Sequence, residues 1–312
     1  MKLHSLILTL LTLPLLAQDQ PAPAPKTEEP TPPTAKLPEK PKDLPDFIRY
    51  TETDTAAKLE TAVKTYTNPD GVIVDLIGVV HIADASYYKQ INEKLATYDA
   101  VLYELVGDPD ALKNPDAKAA PNPLRGIQKM VGSLLKLSFQ LDQIDYTKAN
   151  FVHADLSAEQ FSKLQAAKGE NLMTLLARAM KMEKDGKLGI DQKDMNMDMT
   201  QILGALSGSG GADSLKIIMA KVFDKAENMV DSFEGPDEKN GTVLLTERNK
   251  VVRDKLEESI KGGKKHLSIF FGAGHLPGLE VLIKNLKFKN EKEEWLAAWT
   301  MKKAPAAKKA AE

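Results

Sequence analysis

Residues 68–105 run NPDGVIVDLIGVVHIADASYYKQINEKLATYDAVLYEL, a turn, a strand, a helix and a strand in succession. Asn68-Pro69-Asp70-Gly71 holds the residue types that tight turns need. Val72 to His81 is a nearly continuous apolar run, as expected of a strand covered on both faces. Helix signals begin at Asp84 or Ser86 and reach Tyr98, with Tyr88, Ile91 and Leu95 on one face. Ala100 to Leu105 (AVLYEL) reads as a second buried strand. Strand, helix, strand is the crossover of a parallel sheet. Upstream, Leu59 to Thr67 alternates and makes the first arm of a hairpin closed by the 68–71 turn.

The same grammar returns near the other end. Val243 to Ile260 is helical in pattern and Gly262-Gly263 ends it. His266 to Phe271 (HLSIFF) is a buried strand running into Gly272-Ala273-Gly274-His275; Leu279 to Leu286 is a short helix and Trp295 to Met301 a last strand. The middle differs. Leu124 to Leu141 has helical spacing through Leu124, Ile127, Val131, Leu134 and Leu135. Phe151-Val152-His153 is a short extended piece, and Ser157 with Gln160 makes a capping box for a helix through Ala167. Leu172 to Met182 and Leu215 to Met229 are further helices, separated by the glycine-rich break at 207–211. The expected fold is α/β: a central, largely parallel or mixed sheet flanked by helices, with a helical insertion at about 123–232.

The folded part is expected at 47–301. Residues 1–17 have a positive start, an apolar run from Leu6 to Leu16 and a small residue at Ala17, the features of a secretory signal; an uncleaved N-terminal anchor is the alternative. Residues 18–46 contain nine prolines and read as a stiff, polyproline-biased linker. Residues 302–312 are Lys, Ala and Pro and read as a disordered tail. The chain is therefore expected to be exported, periplasmic or extracellular, with cell-envelope association through its N-terminal segment.

Composition removes several classes of function. A net charge of −2 over 312 residues speaks against nucleic acid as a partner. The absence of cysteine excludes disulfides, thiolate metal sites and a cysteine nucleophile. A metal site must then draw on five histidines and the carboxylates.

Ligands of open α/β sheets bind beyond the carboxyl ends of the strands. His81, in Gly78-Val79-Val80-His81, ends the first buried strand; Glu104 stands near the end of the next; His275, in Gly272-Ala273-Gly274-His275, follows the last. Two imidazoles and a carboxylate suit an open metal site completed by water. They also suit metal-free chemistry, with a histidine as general base and the carboxylate orienting it. The structural alternatives are a core histidine at 81 and a surface carboxylate at 104. The glycine-to-histidine spacing alone is unspecific, since Gly263-Lys264-Lys265-His266 shares it.

Arg248 has apolar neighbours one turn away on either side, Leu244, Leu245, Val251 and Val252. A guanidinium on such a stripe needs a carboxylate or an anionic ligand, for which Glu104 or a substrate carboxylate or oxyanion would serve, unless it snorkels to water. Secondary candidates are Glu247, whose face is mixed and suits a cap or surface ion pair, and His153 with Asp155, which alternate onto one side of an extended piece. That pair is a second binding site or a structural corner with Asp155 as a helix cap. Met173, Met180, Met182, Met195, Met197 and Met199 soften the helical middle, as an adaptable groove or as ordinary core.

Gly78-Val79-Val80-His81-Ile82-Ala83 with Tyr88, then Val101-Leu102-Tyr103-Glu104-Leu105, Thr246-Glu247-Arg248-Asn249, and Gly272-Ala273-Gly274-His275-Leu276-Pro277-Gly278, in that order, resemble the TraB/PrgY/GumN family, a relative of the TIKI proteases. The likeness covers most of residues 60–300, with the helical middle unmatched. It implies a sheet fold shared with erythromycin-esterase-like and ChaN-like proteins. It assigns His81, Glu104 and His275 to a site with Arg248 beside them, and motif glycines at Gly78 and Gly272. TIKI members are metal-dependent peptidases, so the resemblance implies a divalent metal, manganese, cobalt or zinc, held by His81, Glu104 and His275; in such a hydrolase a metal-bound water would attack the carbonyl and Arg248 would stabilise the oxyanion. The substrate would be a peptide or secreted protein. PrgY-type members restrain peptide pheromones, so a non-catalytic, peptide-sequestering protein is the alternative.

Overall fold

A computed structural model of the chain describes residues 47–110, 132–171, 173–175, 177–178, 181, 211–234 and 241–303. In chain order it forms β1 (Ile48–Glu52), β2 (Ala56–Thr67), β3 (Ile73–Val79), β4 (Ile82–Ala83), α1 (Ala85–Leu95), β5 (Ala100–Tyr103), β6 (Ser138–Phe139), α2 (Gln140–Gln143), β7 (Phe151–His153), α3 (Ala158–Lys168) and α4 (Gly211–Glu234). A π-turn (Val243–Glu247) then runs into α5 (Arg248–Lys261), followed by β8 (His266–Gly272), a 3₁₀ turn (Ala273–His275), α6 (Leu276–Asn285) and β9 (Lys289–Lys302).

The fold is α/β, built on one mixed seven-stranded sheet. β3, β8, β5 and β7 run parallel, in that spatial order. β2 turns back antiparallel to β3 through the 68–71 turn, where Gly71 takes φ 72°. β9 lies antiparallel along the whole of β2, and β1 pairs with the first half of β2 on the side that β3 takes over further on. Tyr87, Tyr88, Ile91 and Leu95 of α1 are buried, as are Leu76, Ile77, Val101, Leu102, Ile269 and Phe270 of the parallel strands. Burying an apolar side chain of this size stabilises the fold by about 1.5–3 kcal/mol. Trp299 of β9 is fully buried, and its indole N–H donates to the Ile82 carbonyl at 2.7 Å, tying the last strand to the segment just past β3.

Several expectations need correction. The first two parallel strands are not neighbours, because β8 from the far end of the chain lies between them. The strand expected to end at His81 ends at Val79, and the last strand begins six residues before Trp295. The extended piece at 151–153 forms as expected but joins the main sheet as its edge strand β7, and the helix expected through Leu141 stops by Leu135. Lys136 adopts φ 56°, a left-handed conformation that ends a helix, and Phe139 then pairs with Ile82. Lys302, assigned to the tail, pairs with Ala56. The Ser157–Gln160 capping box forms as read, with both of its bonds present.

The signal, the linker, the helical pattern at 124–131, the break at 207–210, five of the six methionines and residues 304–312 lie outside the described residues. Met173 is 70% exposed, so it is not core. Among the described residues no helix is long and apolar enough to cross a membrane.

Candidate functional site

Parallel pairing of β3 with β8 puts Val79 beside Gly272, so the two Gly-x-x-His segments leave the sheet side by side. β5 flanks β8 on its other edge, and Glu104 follows its last residue. Three strands distant in sequence thus deliver His81, Glu104 and His275 to one end of the sheet.

Glu104 is the hub. Its Oε2 accepts the backbone N–H of Gly272 at 2.6 Å, and its Oε1 accepts from Arg248 Nη2 at 2.6 Å and lies 3.6 Å from His275 Nε2. Gly272 has ordinary φ −49° and ψ 133°, so backbone freedom does not explain the glycine. Space does. A Cβ there would lie 3.0 Å from Glu104 Oε2 and 3.9 Å from His81 Cε1. Gly78 is crowded in the same way: its Cβ would meet Leu276 Cδ1 at 3.1 Å and the Ala62 carbonyl at 3.3 Å. Burial alone would raise the Glu104 carboxyl, but the Arg248 guanidinium beside it, with the two nearby imidazoles, outweighs burial and holds the group well below the usual carboxylate range.

Arg248 is fully buried, as its apolar stripe and fixed charge require of a paired guanidinium. Nε donates to Asp155 Oδ1 at 2.9 Å and Nη2 to Asp155 Oδ2 at 2.7 Å, a bidentate pair. The second Nη2 proton goes to Glu104, and Nη1 donates to the Leu244 carbonyl at 3.2 Å and to His275 Nε2 at 2.8 Å. These bonds use all five donors of the group, leaving none for the oxyanion role expected of Arg248. Burial would depress its pKa, but Asp155 and Glu104 push it further up.

His275 is held at both ring nitrogens. Nε2 accepts from Arg248, so the proton sits on Nδ1, which donates to Asn249 Oδ1 at 2.7 Å. Asn249 Nδ2 donates in turn to the His275 carbonyl at 3.2 Å. Burial, helped by the neighbouring guanidinium, pulls the imidazole down to about 4, so it is neutral near pH 7.

His81 lies differently. It is half-buried at the mouth, two residues past β3. Its Nδ1 is 3.0 Å from Gln140 Oε1, while Nε2 makes no hydrogen bond among the described residues. A cavity of about 20 Å³, lined by His81, Ile82, Val79, Ala273 and Gly274 among others, adjoins it. That is room for one water molecule. A separate cleft of about 320 Å³ is lined by Leu137, Ser138, Phe139, Asp142 and Gln143 together with Gly132 and Ser133, with neither His81 nor Gln140 in its wall.

The secondary candidates separate. Asp155 belongs to the centre: besides Arg248 it accepts the Leu105 and Leu156 backbone N–H groups, and Ser157, not Asp155, caps the next helix. His153 does not reach the centre; its Nε2 is 2.7 Å from the Leu105 carbonyl. Glu247 pairs with Lys168 at 2.7 Å and Lys250 at 3.3 Å, the surface pairing expected of it. His266, of the rival spacing, packs at a tilt against Tyr98 at the opposite end of β8 from Gly272. Sequence reasoning gave no role to Asn249, Gln140 or Tyr146. Asn249 directly follows Arg248 within a quoted motif, and a buried-side asparagine there was the available signal. Nothing local marks Gln140.

The donor set His81, Glu104 and His275 does not fit a divalent cation as it is placed. The single lone pair of His275 Nε2 is taken by the Arg248 guanidinium, and both Glu104 oxygens already accept N–H groups. Among the described residues no group of three or more His, Asp or Glu is arranged to hold a metal. No protein-family model matches the chain, and no curated protein matches it.

Proposed function

We propose that the chain is an exported hydrolase of the TraB/PrgY/GumN type, cleaving a peptide or related acyl bond, with His81 as its general base. One observation carries this reading: His81 is half-buried and, among the described residues, its Nε2 makes no hydrogen bond. His81 Nε2 takes a proton from a water beside it as that water attacks the substrate carbonyl, and the imidazolium then returns the proton to the leaving group. The Glu104 carboxylate, kept ionised, stabilises the charge on His81. Arg248, Asp155, His275 and Asn249 hold Glu104 and the strand ends in place.

The signal-like residues 1–17 support export. The family's metallopeptidase chemistry is the competing form of this reading and requires Arg248 to leave His275. The seal around Arg248 also favours a second reading, a PrgY-type protein that holds a peptide without cleaving it.

The test is a peptide library and a p-nitrophenyl ester series incubated with the full chain and with His81→Ala. Turnover by the wild type and its loss in the variant support the hydrolase. Peptide capture without cleavage by either supports the sequestering reading. Turnover that survives His81→Ala contradicts the assignment of the base.

A further inference from the structure

We propose that Gln140, itself held by Tyr146, is a positioning residue that fixes the tautomer of His81, keeping the proton on Nδ1 and the lone pair on Nε2. The inference deepens, and rests on, the reading of His81 as the base.

Residues 81 and 140 are far apart in sequence but clamped twice. The antiparallel bridge of Ile82 with Phe139 and Ala83 with Ser138 brings the segments together. The Gln140 backbone N–H then donates to the His81 carbonyl at 2.9 Å, and the Gln140 side chain meets the His81 ring at 3.0 Å. A neutral imidazole offers one donor and one acceptor, and a glutamine amide can present either kind of atom to it. In the structure Gln140 Nε2 points to the Tyr146 hydroxyl at 2.8 Å and Oε1 faces His81 Nδ1, an orientation in which Oε1 accepts the Nδ1–H.

The anchor is rigid. Tyr146 is buried, its ring packed against Tyr103 at 5.2 Å and Phe151 at 5.8 Å between centroids. Burial pushes the phenol up, so it stays a neutral hydroxyl near pH 7. Gln140 is 4% exposed, so water does not compete for the amide. A histidine that must accept a proton at Nε2 gains from such a device, because the wrong tautomer has no base at the reacting side.

The experiment is long-range ¹H–¹⁵N NMR of the imidazoles in the ¹⁵N-labelled full chain at pH 8, with His81 assigned by His81→Gln. The expected result is an N–H-type Nδ1 and a pyridine-type Nε2. Gln140→Leu should give a mixture of tautomers, Tyr146→Phe a smaller change in the same direction, and Gln140→Glu, which keeps the acceptor, the wild-type pattern. With p-nitrophenyl acetate as probe, Gln140→Leu should lower kcat by about 10- to 100-fold with little change in KM, and Gln140→Glu should restore most of it. A wild-type His81 protonated at Nε2 overturns the proposal and is readable without any variant, as does an unchanged tautomer in folded Gln140→Leu. A chain with the expected tautomer but no turnover overturns the hydrolase reading instead, so the two failures are distinct.

Discussion

Arg248 Nη1 donates to His275 Nε2 at 2.8 Å, placing a permanent cation against a neutral imidazole in a buried pocket. The contact is tolerable because Asp155 and Glu104 flank the same guanidinium. The group behaves as one unit, and removing a member leaves the others with buried, unpaired charge.

Arg248→Met should therefore destabilise the fold by about 3–5 kcal/mol, while Arg253→Met, at an exposed pair, should cost about 0–1 kcal/mol. Urea denaturation of both variants measures the difference. Equal effects would mean that the buried network contributes little.

Stability should fall with acid in a definite window. An unfolded histidine titrates near pH 6.5, whereas His275 in the fold is held down to about 4. Between these values the unfolded chain binds the proton and the folded chain does not, so stability is complete above about 6.5 and declines toward 4, by on the order of 3 kcal/mol. Glu104, lowered in the fold, adds a further loss on the acid side of the ordinary carboxylate range. Urea midpoints from pH 8 to pH 4 should show the decline, and a folded His275→Gln should show a flatter curve over the same range.

Gly272→Ala should disturb the site, since its methyl meets a carboxylate that Arg248 and the residue's own N–H hold fixed. A cost of about 1–3 kcal/mol is expected, together with a loss of turnover. Gly78→Ala presses instead on Leu276 and a β2 carbonyl, away from Glu104, and should affect stability more than turnover. Paired denaturation and kinetic measurements check this; a reversed order would count against Glu104 as hub.

Much of this centre was readable from local pattern. Apolar runs ending in Gly-x-x-His mark strand ends, and an arginine on an apolar stripe announces a buried partner. Glu104 was one of the partners the pattern allowed, and it pairs with Arg248; Asp155 was not readable. Asp155 takes Arg248 in a bidentate pair because β7 docks beside β5, and no periodicity near residue 151 states which edge it will join. Gln140 escaped for a related reason: Leu124 to Leu141 has helical spacing, but the bridge of Phe139 with Ile82 overrides it and turns Gln140 onto His81. Long-range pairing supplied what local pattern lacked in both cases.

Asn249→Ala removes both the acceptor for His275 Nδ1–H and the donor to its carbonyl. It should cost about 1–3 kcal/mol and loosen His275, read as hydrogen-exchange protection lost in the 273–276 segment. Unchanged protection there would show that Arg248 alone fixes the ring.

The most direct measurement is hydrolysis of the peptide and ester probes by the full chain after exhaustive chelation, then again with added manganese, cobalt or zinc. With Arg248 occupying the His275 lone pair and His81 as base, turnover should persist in chelator and change little on metal addition. Activity abolished by chelation and restored by one of these ions would contradict that account.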